Sequence, residues 1–560
     1  MSPPAPFRAL VVATACLFVA ACGGPDGDSA LATITAADVA RLTRTLAADA
    51  FAGRGPAARG EAPTLDFLQG ELERMGIEPF GDPDEAGNRT WLQRVPVAEI
   101  TVDAATAGLR MPRSRGAAQR GQLDELTYGD DFVVWTRHEE PSIDVTAPLV
   151  FVGYGVVAPE EDWDDYSRDL RGAIVVVLVN DPPVSGKFGD EAMTYYGRWT
   201  YKYEEAARQG AAGALIVHDT QSAGYGWDVV RSSWTGPQFS LPAPPDQPAA
   251  VRVEGWISQR TADELFSAAG LNLADSIAAA ARADFEPIDL GAAAAIHLDN
   301  HLRRIASSNV VGRVRGRHSS DADEYVLWTA HWDHLGEDPT IEGDGIYNGA
   351  LDNATGVAGL LEIAEAYASL QQQTRRSHLF MATTLEEKGL LGSAYYAANP
   401  LVPPGKTVAA INLDGLNIWG PTEDITVIGL GNSELDEVLR RVMEPDGRTL
   451  SPDPESAKGF YYRSDHFPLA KIGIPALYTD AGVHFLDRPE DYSDLVRRQY
   501  TALHYHRPSD EFDATWNLAG AEADLRALFA VGFDLSEGTE WPAWSEGSEF
   551  GAARAASLER

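Results

Sequence analysis

Seven residues of types that bind or activate metal ions stand at the ends of apolar or β-rich runs. Glu386 and Glu387 follow the apolar run 379–382, and the others flank them on both sides of the chain. Imidazole nitrogens and carboxylate oxygens are ligands that zinc takes at roughly 2.0–2.2 Å. The spacing therefore predicts a metal-bound active site built from His331, Asp333, Asp352, Glu386, Glu387, Asp414 and His506.

The ligand types favour two metal ions over one. Two cations roughly 3.5–4 Å apart can share a carboxylate and a water, which then ionises near neutral pH while a carbonyl is polarised. Two zinc ions bring four positive charges, and Asp352, Asp414, Glu387 and a bridging hydroxide balance them. The site is neutral before Glu386 is counted, which leaves that residue free to move protons.

The surrounding patterns show how these side chains are positioned. His331 ends the β-rich run 324–330, and Asp333 lies two residues on, so both share a face of an extended segment. We expect the Asp333 carboxylate to fix the tautomer of His331. Asp352 precedes apolar residues spaced as on one face of a helix, for which Asn353 or Thr355 is the expected cap.

Adjacent glutamates point in different directions, so one can bind metal while the other acts on water. We assign Glu386 as the general base and Glu387 as a ligand. A lone glutamate pair is usually a solvated surface, and a lone aspartate before a helix is usually a cap. Only the combination of all these residues favours a catalytic site.

The order of these motifs resembles the co-catalytic zinc exopeptidases of the aminopeptidase Y and glutamate carboxypeptidase type, over most of residues 33–535. The motifs are His331-x-Asp333, Asp352-Asn353, Glu386-Glu387, Asp414 and Tyr505-His506-x-Pro508-x-Asp510. The resemblance implies one zinc ion on His331 and Asp414, a second on Glu387 and His506, and Asp352 bridging both.

The same resemblance assigns further roles around the metal ions. Glu386 matches the general base, and Tyr461 matches a tyrosine that stabilises the tetrahedral oxyanion in some members. The adjacent Tyr462 is an alternative for that role. His504 is an alternative to His506 as a ligand, although only His506 fits the motif.

The predicted fold class is α/β, with a mainly parallel central sheet covered by helices on both faces. Strand-like and helical runs alternate from residue 306 onward, and ligands in such folds bind at the carboxyl ends of the strands. Residues 136–300 resemble an inserted, smaller β-rich protease-associated domain. The expected catalytic domain comprises 33–135 and 301–537, residues 101–135 are poorly patterned, and 538–560 is expected to be a loose tail.

The N-terminal sequence predicts a secretory signal peptide. Arg8 precedes an apolar stretch over residues 9–21, which is too short for an ordinary membrane span. Residues 19–22 resemble the lipobox of bacterial lipoproteins, so Cys22 is the expected site of a membrane lipid anchor after removal of residues 1–21. The resulting location is the bacterial cell envelope, on the periplasmic side of the outer membrane, with free secretion as the alternative.

The composition of the chain disfavours one class of binding partner. The formal charge of −38 over 560 residues disfavours nucleic acid, which needs a basic surface. Residues 22–32 are expected to be a flexible tether. The only cysteines are Cys16 and Cys22, so the mature chain has no disulfide and no catalytic thiolate.

The predicted activity is hydrolysis of peptides, with an aminopeptidase preferred on the resemblance. A metallocarboxypeptidase is the nearest alternative, and Arg463 is then a candidate for binding the terminal carboxylate. Glutaminyl cyclase, an acyltransferase whose relatives generally bind one zinc ion, is a second alternative. A receptor-like protein with a decayed site is a third, disfavoured because every ligand and the base are present.

Overall fold

The computed structural model describes residues 26–113, 123–189, 192–242 and 249–559. The predicted signal peptide, the lipobox, Cys16 and Cys22 lie outside the described residues. Within the described ranges, none of the helices has the length and apolar character needed to cross a bilayer.

The chain alternates strands and helices throughout. The strands are β1 (Glu78–Pro79), β2 (Leu92–Val102), β3 (Gly108–Pro112), β4 (Leu123–Glu125), β5 (Phe132–Trp135), β6 (Ser142–Phe151), β7 (Val157–Ala158), β8 (Trp163–Asp164), β9 (Ile174–Leu178), β10 (Gly213–Val217), β11 (Gln238–Ser240), β12 (Val253–Ile257), β13 (Ile288–Val314), β14 (Tyr325–His331), β15 (Gly336–Glu337), β16 (Ile346–Tyr347), β17 (Ser377–Thr383), β18 (Thr407–Asn412), β19 (Asp424–Val427), β20 (Thr449–Pro452) and β21 (Ala476–Asp480). The α-helices are α1 (Gly27–Leu31), α2 (Ala36–Leu46), α3 (Glu61–Arg74), α4 (Trp199–Arg208), α5 (Thr220–Ala223), α6 (Trp227–Trp234), α7 (Gln259–Ala268), α8 (Leu273–Ala280), α9 (Gly356–Ser369), α10 (Leu391–Ala398), α11 (Leu435–Met443), α12 (His466–Lys471), α13 (Tyr492–Leu503), α14 (Ala519–Glu537) and α15 (Gly551–Leu558).

The first sheet has a parallel centre, in the order β17, β14, β18, β21. Antiparallel strands extend it: β13 pairs with β17, β2 pairs with β13, and β19 pairs with β21. Every residue of β14, β17 and β18 is buried, as expected for parallel strands covered on both faces. The predicted α/β class with a mainly parallel central sheet is therefore confirmed.

Alternating residues of β14 pack against helices on opposite faces. Val326 and Trp328 belong to the core that includes Leu361 of α9 and Leu525 of α14. Leu327 belongs to the core on the other face, which includes Tyr396 of α10 and Leu469 of α12. These two layers hold the strands rigidly, so their carboxyl ends are fixed in position.

The second sheet is joined to the first by the single long strand β13. Residues 300–310 of β13 pair with β2, while its first half pairs with β6 and β3. Strands β6, β9, β10 and β12 are parallel neighbours, and β5 is antiparallel to β12. Helices α4 and α7 contribute Ala206 and Leu265 to the core of this sheet, so the segment predicted as β-rich is itself α/β.

The sheets do not follow the predicted domain boundaries. Strands β3, β4 and β5 lie in the poorly patterned stretch 101–135, which was expected to belong to the catalytic domain, and they belong to the second sheet. Conversely, β11 lies inside the predicted insertion but pairs with β2 of the first sheet. The two sheets therefore exchange chain segments at their junction.

Both predicted loose ends are ordered where the structure describes them. Residues 27–31 form α1, in which Ala30 is buried, so the expected tether is wrong over this part. The C-terminal residues expected to be loose contain α15 and buried side chains that include Trp544, Phe550 and Arg554. Arg554 donates hydrogen bonds to the carbonyl oxygens of Pro404 and Thr407, which fastens α15 to the strand β18 that begins at Thr407.

Candidate metal centre

The predicted ligands come together at the carboxyl edge of the parallel strands. His331 is the last residue of β14, Glu387 lies four residues beyond the end of β17, and Asp414 lies two residues beyond β18. Parallel strands place these ends at one edge of the sheet. Asp352 comes from the turn before α9 and His506 from the loop after α13, and both reach the same edge.

Asp352 lies between the two histidines with one oxygen toward each. Its Oδ1 lies 3.3 Å from His331 Nε2, and its Oδ2 lies 3.2 Å from His506 Nε2. Asp414 Oδ1 lies 3.2 Å from His331 Nε2, and Glu387 Oε2 lies 3.2 Å from His506 Nε2. The structure thus forms two imidazole–carboxylate groups that share Asp352, an arrangement that fits two cations with nitrogen and oxygen ligands.

The charges of these groups depend on one another. Burial alone would raise the pKa of Asp352, but its contacts with His331 and His506 outweigh burial and hold that pKa well below its usual range. Burial raises the pKa of Glu386 well above its usual range; His331 opposes this shift, whereas Asp414 and Glu387 add to it. A carboxyl group with a raised pKa beside a carboxylate cluster suits proton transfer.

Glu386 occupies the position expected of a base. A ligating oxygen of Glu386 lies within 4.8 Å of corresponding atoms of His331 and Glu387, so it faces the cluster. Its backbone N–H donates to Asp333 Oδ1 at 3.1 Å. This bond fixes the backbone at the base.

The Asp333 carboxylate does not contact His331, although it was predicted to fix the tautomer of that histidine. The Nδ1 of His331 contacts the backbone carbonyl of Asp333 at 3.0 Å, not its carboxylate. The carboxylate instead accepts from Glu386, and burial raises its pKa to about 7. The residue orients both His331 and Glu386, because a tight turn brings its carbonyl oxygen back over the imidazole.

Asn353 connects the turn of Asp352 to the neighbouring strand end. Its Oδ1 accepts from the N–H of Gly356 at 3.0 Å, so it is the cap of α9 among the two candidates. The same oxygen accepts from Gly415 N at 2.9 Å, next to Asp414. One side chain thus sets the spacing between two of the predicted ligands.

Sequence patterns missed a buried arginine beneath the cluster. Arg54 is 1% exposed, and its guanidinium donates to four backbone carbonyl oxygens at 2.6–2.9 Å. Those carbonyls belong to Leu46, Trp332, Asn348 and Gly349, so Arg54 ties together the turns that carry His331 and Asp352. Its sequence context, Arg54-Gly55-Pro56, was noticeable only as a loop.

The structure does not bring Tyr461 to the metal cluster. Its ring packs against His466 at 4.7 Å and Phe550 at 6.1 Å, and the hydroxyl of Tyr462 contacts Glu549 at 3.3 Å. Burial and then Glu549 raise the pKa of Tyr461, so its charged neighbour is not a predicted ligand. Phe550 and Glu549 of the C-terminal segment, which was expected to be loose, lie against Tyr461 and Tyr462 respectively.

Two other tyrosines lie closer to the predicted ligands. The ring of Tyr505 stacks on His506 at 3.9 Å. Burial raises the pKa of Tyr478, and Asp414, Glu386 and Asp352 raise it further, which places its hydroxyl in the field of the cluster. Tyr478 lies in β21, beside β18, and its position near the carboxyl end of a parallel strand was the available signal.

His504 is not the ligand histidine in this geometry. Its Nδ1 contacts the backbone oxygen of Ser509 at 2.8 Å, whereas His506 contacts Asp352 and Glu387. His504 and His506 do not alternate along an extended segment, because α13 ends at Leu503 and the chain then turns.

Comparisons with known proteins show which families and structures the chain is similar to. Residues 309–530 match the model of Peptidase family M28. A probable zinc metalloprotease from Pyrenophora teres f. teres (strain 0-1) is 36% identical over 107 residues, covering 19% of this chain and 22% of the relative. A second, from Pyrenophora tritici-repentis (strain Pt-1C-BFP), is 35% identical over 107 residues, covering 19% and 24%. The chain therefore matches less than a quarter of the length of these curated relatives.

Solved structures also resemble the chain over most of its length. The aminopeptidase from Aneurinibacillus sp. strain AM-1 aligns with 92% of this chain and 97% of its own, at 18% identity and a TM-score of 0.49. The Peptidase M28 precursor from Shewanella amazonensis SB2B aligns over the same shares at 18% identity and a TM-score of 0.44.

Proposed function

Because residues 309–530 match Peptidase family M28, we propose that this chain is a zinc-dependent exopeptidase, and specifically an aminopeptidase that removes N-terminal residues from peptides. The observation that carries the proposal is Asp352, whose two oxygens lie 3.3 and 3.2 Å from the two imidazoles. A carboxylate placed in this way can bridge two cations.

The residues have distinct roles in the proposed reaction. His331 and Asp414 would hold one zinc ion, Glu387 and His506 would hold the other, and Asp352 would supply an oxygen to each. When bound, zinc would supply polarisation of the scissile carbonyl and a lowered pKa of an attacking water. Glu386 removes the proton from that water and returns it to the leaving amine. Tyr478 and Tyr505 are the candidate donors of a hydrogen bond to the oxyanion.

The activity is tested with amino-acid p-nitroanilides whose amino group is free or acetylated. An aminopeptidase hydrolyses only the free series, loses activity on chelation, and regains it when zinc is added back. Hydrolysis of the acetylated series at equal rate would contradict the proposal. Loss of zinc dependence would contradict the metal roles.

The inserted segment is proposed to restrict access to the site. The backbone N–H of Met193 donates to Ser456 O at 3.2 Å, and the ring of Tyr195 packs on those of Tyr462 and Phe467 at 5.9 and 4.9 Å. Lys471 Nζ donates to the Tyr195 hydroxyl at 3.0 Å. The segment thus rests on the loop between β20 and α12, beside the strand ends that carry the ligands.

One observation favours the carboxypeptidase alternative. Arg198 of the inserted segment has a buried Nε without a hydrogen-bond partner in the described part of the chain, and burial followed by the like charge of Arg463 lowers its pKa to about 10. Arg463 precedes Ser464, whose Oγ donates to Asp414 Oδ2 at 2.5 Å. Two such guanidinium groups suit a terminal carboxylate. N-acylated dipeptides with a free or an amidated C-terminus test this: rapid cleavage of the free acid alone would replace the aminopeptidase proposal.

We also propose that the chain is anchored in the bacterial cell envelope through a lipid on Cys22. The support is the sequence, in which residues 9–21 are apolar and residues 19–22 resemble a lipobox. Cells fed labelled palmitate should label the wild-type chain and not a Cys22→Ser variant. Equal release of both chains into the soluble fraction would favour free secretion.

A further inference from the structure

His334 is a fully buried histidine in the metal cluster that matches no position of the ligand motifs. Its side chain has 0% exposure, and its Nδ1 lies 2.6 Å from Glu387 Oε1. Ligand atoms of His334, Asp352 and Glu387 all lie within 4.8 Å of one another. The roles assigned to the five predicted ligands do not account for this short, buried contact.

The chemistry of the contact sets the tautomer of His334. A carboxylate oxygen only accepts hydrogen bonds, so the Nδ1 that faces Glu387 carries the proton. The Nε2 has no partner in the described ranges of the chain. Because a buried N–H without a partner is unfavourable, this environment favours a donor N–H at Nδ1, where Glu387 accepts it.

The backbone holds the ring in this orientation. Gly349 has a φ of 54°, and a Cβ at that position would lie 2.5 Å from Cδ2 of His334, so only glycine allows the approach. The backbone N–H of His334 donates to Arg54 O at 3.3 Å. On another side the ring of His506 lies edge-on at 5.7 Å. The Nδ1–H therefore points at Glu387 before any metal ion binds.

The two oxygens of Glu387 consequently have different partners. Oε1 accepts from His334, while Oε2 lies 3.2 Å from His506 Nε2, on the side shared with Asp352. A carboxylate with one oxygen engaged by a fixed donor can rotate little. Its free oxygen is then held where a cation shared with His506 would lie.

We propose that His334 is a positioning residue for the second metal site: its Nδ1–H holds Glu387 Oε1 and leaves Oε2 to bind the ion. The inference rests on the proposed zinc-dependent function, but it concerns metal affinity and can be tested without a substrate. Removing a partner that orients a metal ligand typically costs about 10–100-fold in metal affinity.

The test is zinc affinity, measured by competition with a chromogenic chelator on metal-free protein. His334→Leu removes the donor, and His334→Asn keeps an N–H at the place of Nδ1–H. We expect His334→Leu to bind one of two zinc ions about 10–100-fold more weakly, and His334→Asn to bind both with close to wild-type affinity. The matched control is His378→Leu, because His378 is equally buried but lies at the opposite end of β17.

Two outcomes would overturn the inference. Unchanged affinity of both sites in His334→Leu would show that the hydrogen bond does not position Glu387. Equal loss in His334→Asn and His334→Leu would make His334 a metal ligand instead. If His334→Leu does not fold, His334→Gln replaces it, since its amide reaches the position of Nε2 and cannot donate to Glu387.

The zinc-affinity comparison of the His334 variants can be interpreted even if the proposed exopeptidase function is wrong. Wild-type protein that binds zinc but cleaves no peptide would refute the exopeptidase proposal and leave the affinity comparison intact. The cobalt-substituted proteins supply a second readout, because the visible absorption of cobalt changes with its ligands. We expect the spectrum of His334→Asn to match wild type and that of His334→Leu to differ.

Discussion

The two sheets of this molecule bury ionisable groups in different ways. In the second sheet, Lys202 of α4 is fully buried, donates to the carbonyls of Tyr154 and Asn180, and lies in the field of Asp165 and Asp181. In the first sheet, four carboxylates converge on imidazoles with Arg54 beneath them. The buried carboxylates of the second sheet face a lysine, while those of the first face imidazoles that can bind metal ions.

This difference distinguishes a structural cluster of ionisable groups from a cluster that binds metal ions. Burial lowers the pKa of Lys202 to about 8 and raises that of Asp165 to about 7, and each group opposes the shift of the other. Such mutual compensation is typical of a structural cluster. Carboxylates that outnumber the permanently charged basic side chains beside them, and that lie against imidazoles, indicate a binding site for metal ions.

The largest expected effect follows from removing the shared carboxylate. Asp352→Ala deprives both cation positions of a ligand, and metal polarisation contributes several kcal/mol to such reactions, so we expect activity to fall by about 10³-fold or more. Peptide hydrolysis and zinc content by atomic absorption are measured together. A variant that keeps two zinc ions would contradict the bridging role of Asp352.

Replacing the proposed base Glu386 should lower turnover without changing zinc binding. Glu386→Gln keeps the size of the side chain but cannot accept the proton of water, so we expect turnover to fall by about 10²–10⁴-fold. Zinc content should stay at the wild-type level. Near-normal turnover, with zinc bound, would show that another group acts as the base.

The cluster of the second sheet should affect stability and leave metal binding intact. Lys202→Met leaves the carbonyls of Tyr154 and Asn180 without their buried donor, at about 1–3 kcal/mol each. We expect the free energy of unfolding in urea to fall by about 3 kcal/mol. The exposed control Lys458→Met, which loses the ion pair with Glu455 and the approach of Nζ to the ring of Phe460, should change it by less than about 1 kcal/mol. Weaker zinc binding in Lys202→Met would contradict the separation of the two regions.

The smallest effect is a pH dependence in the core of the first sheet. Burial lowers the pKa of His378 to about 3, and its ring stacks on Tyr367 at 3.6 Å. The unfolded chain takes up a proton below about pH 6.5 and the folded chain does not. The contribution of His378 is therefore complete above pH 6.5 and is lost as pH falls toward 3, by up to about 1.4 kcal/mol per pH unit.

His378→Leu should flatten this dependence, although it also removes the acceptor for Trp328 Nε1. The comparison is therefore between slopes of unfolding free energy against pH, measured from pH 7 to 5, and not between absolute stabilities. Parallel slopes for the two proteins would contradict the assigned pKa.

The sequence predicted those features that depend on strand ends and motif spacing. His331, Asp352, Glu387, Asp414 and His506 are brought together because each follows or precedes an element whose apolar pattern is clear. His334 was missed because it fits no motif, and its role depends on the approach of Gly349, a contact between distant turns. The group through which Asp333 orients His331 depends on turn geometry that spacing does not encode.

The remaining errors have related causes. Strands β3 to β5 were missed because local composition gave no alternation, and because β3 and β5 also pair with β13 and β12, which are distant in sequence. The surroundings of Tyr461 were not predicted because a short C-terminal segment, with Trp544 and Phe550 buried, packs beside it. Both cases are tertiary contacts that override local patterns.

The most direct test of the central claim is a calorimetric titration of metal-free protein with zinc. Two cation positions that share Asp352 predict two zinc ions per wild-type chain, with both sites weakened in Asp352→Ala. Binding of a single ion, or a second site that Asp352→Ala leaves unchanged, would contradict the account.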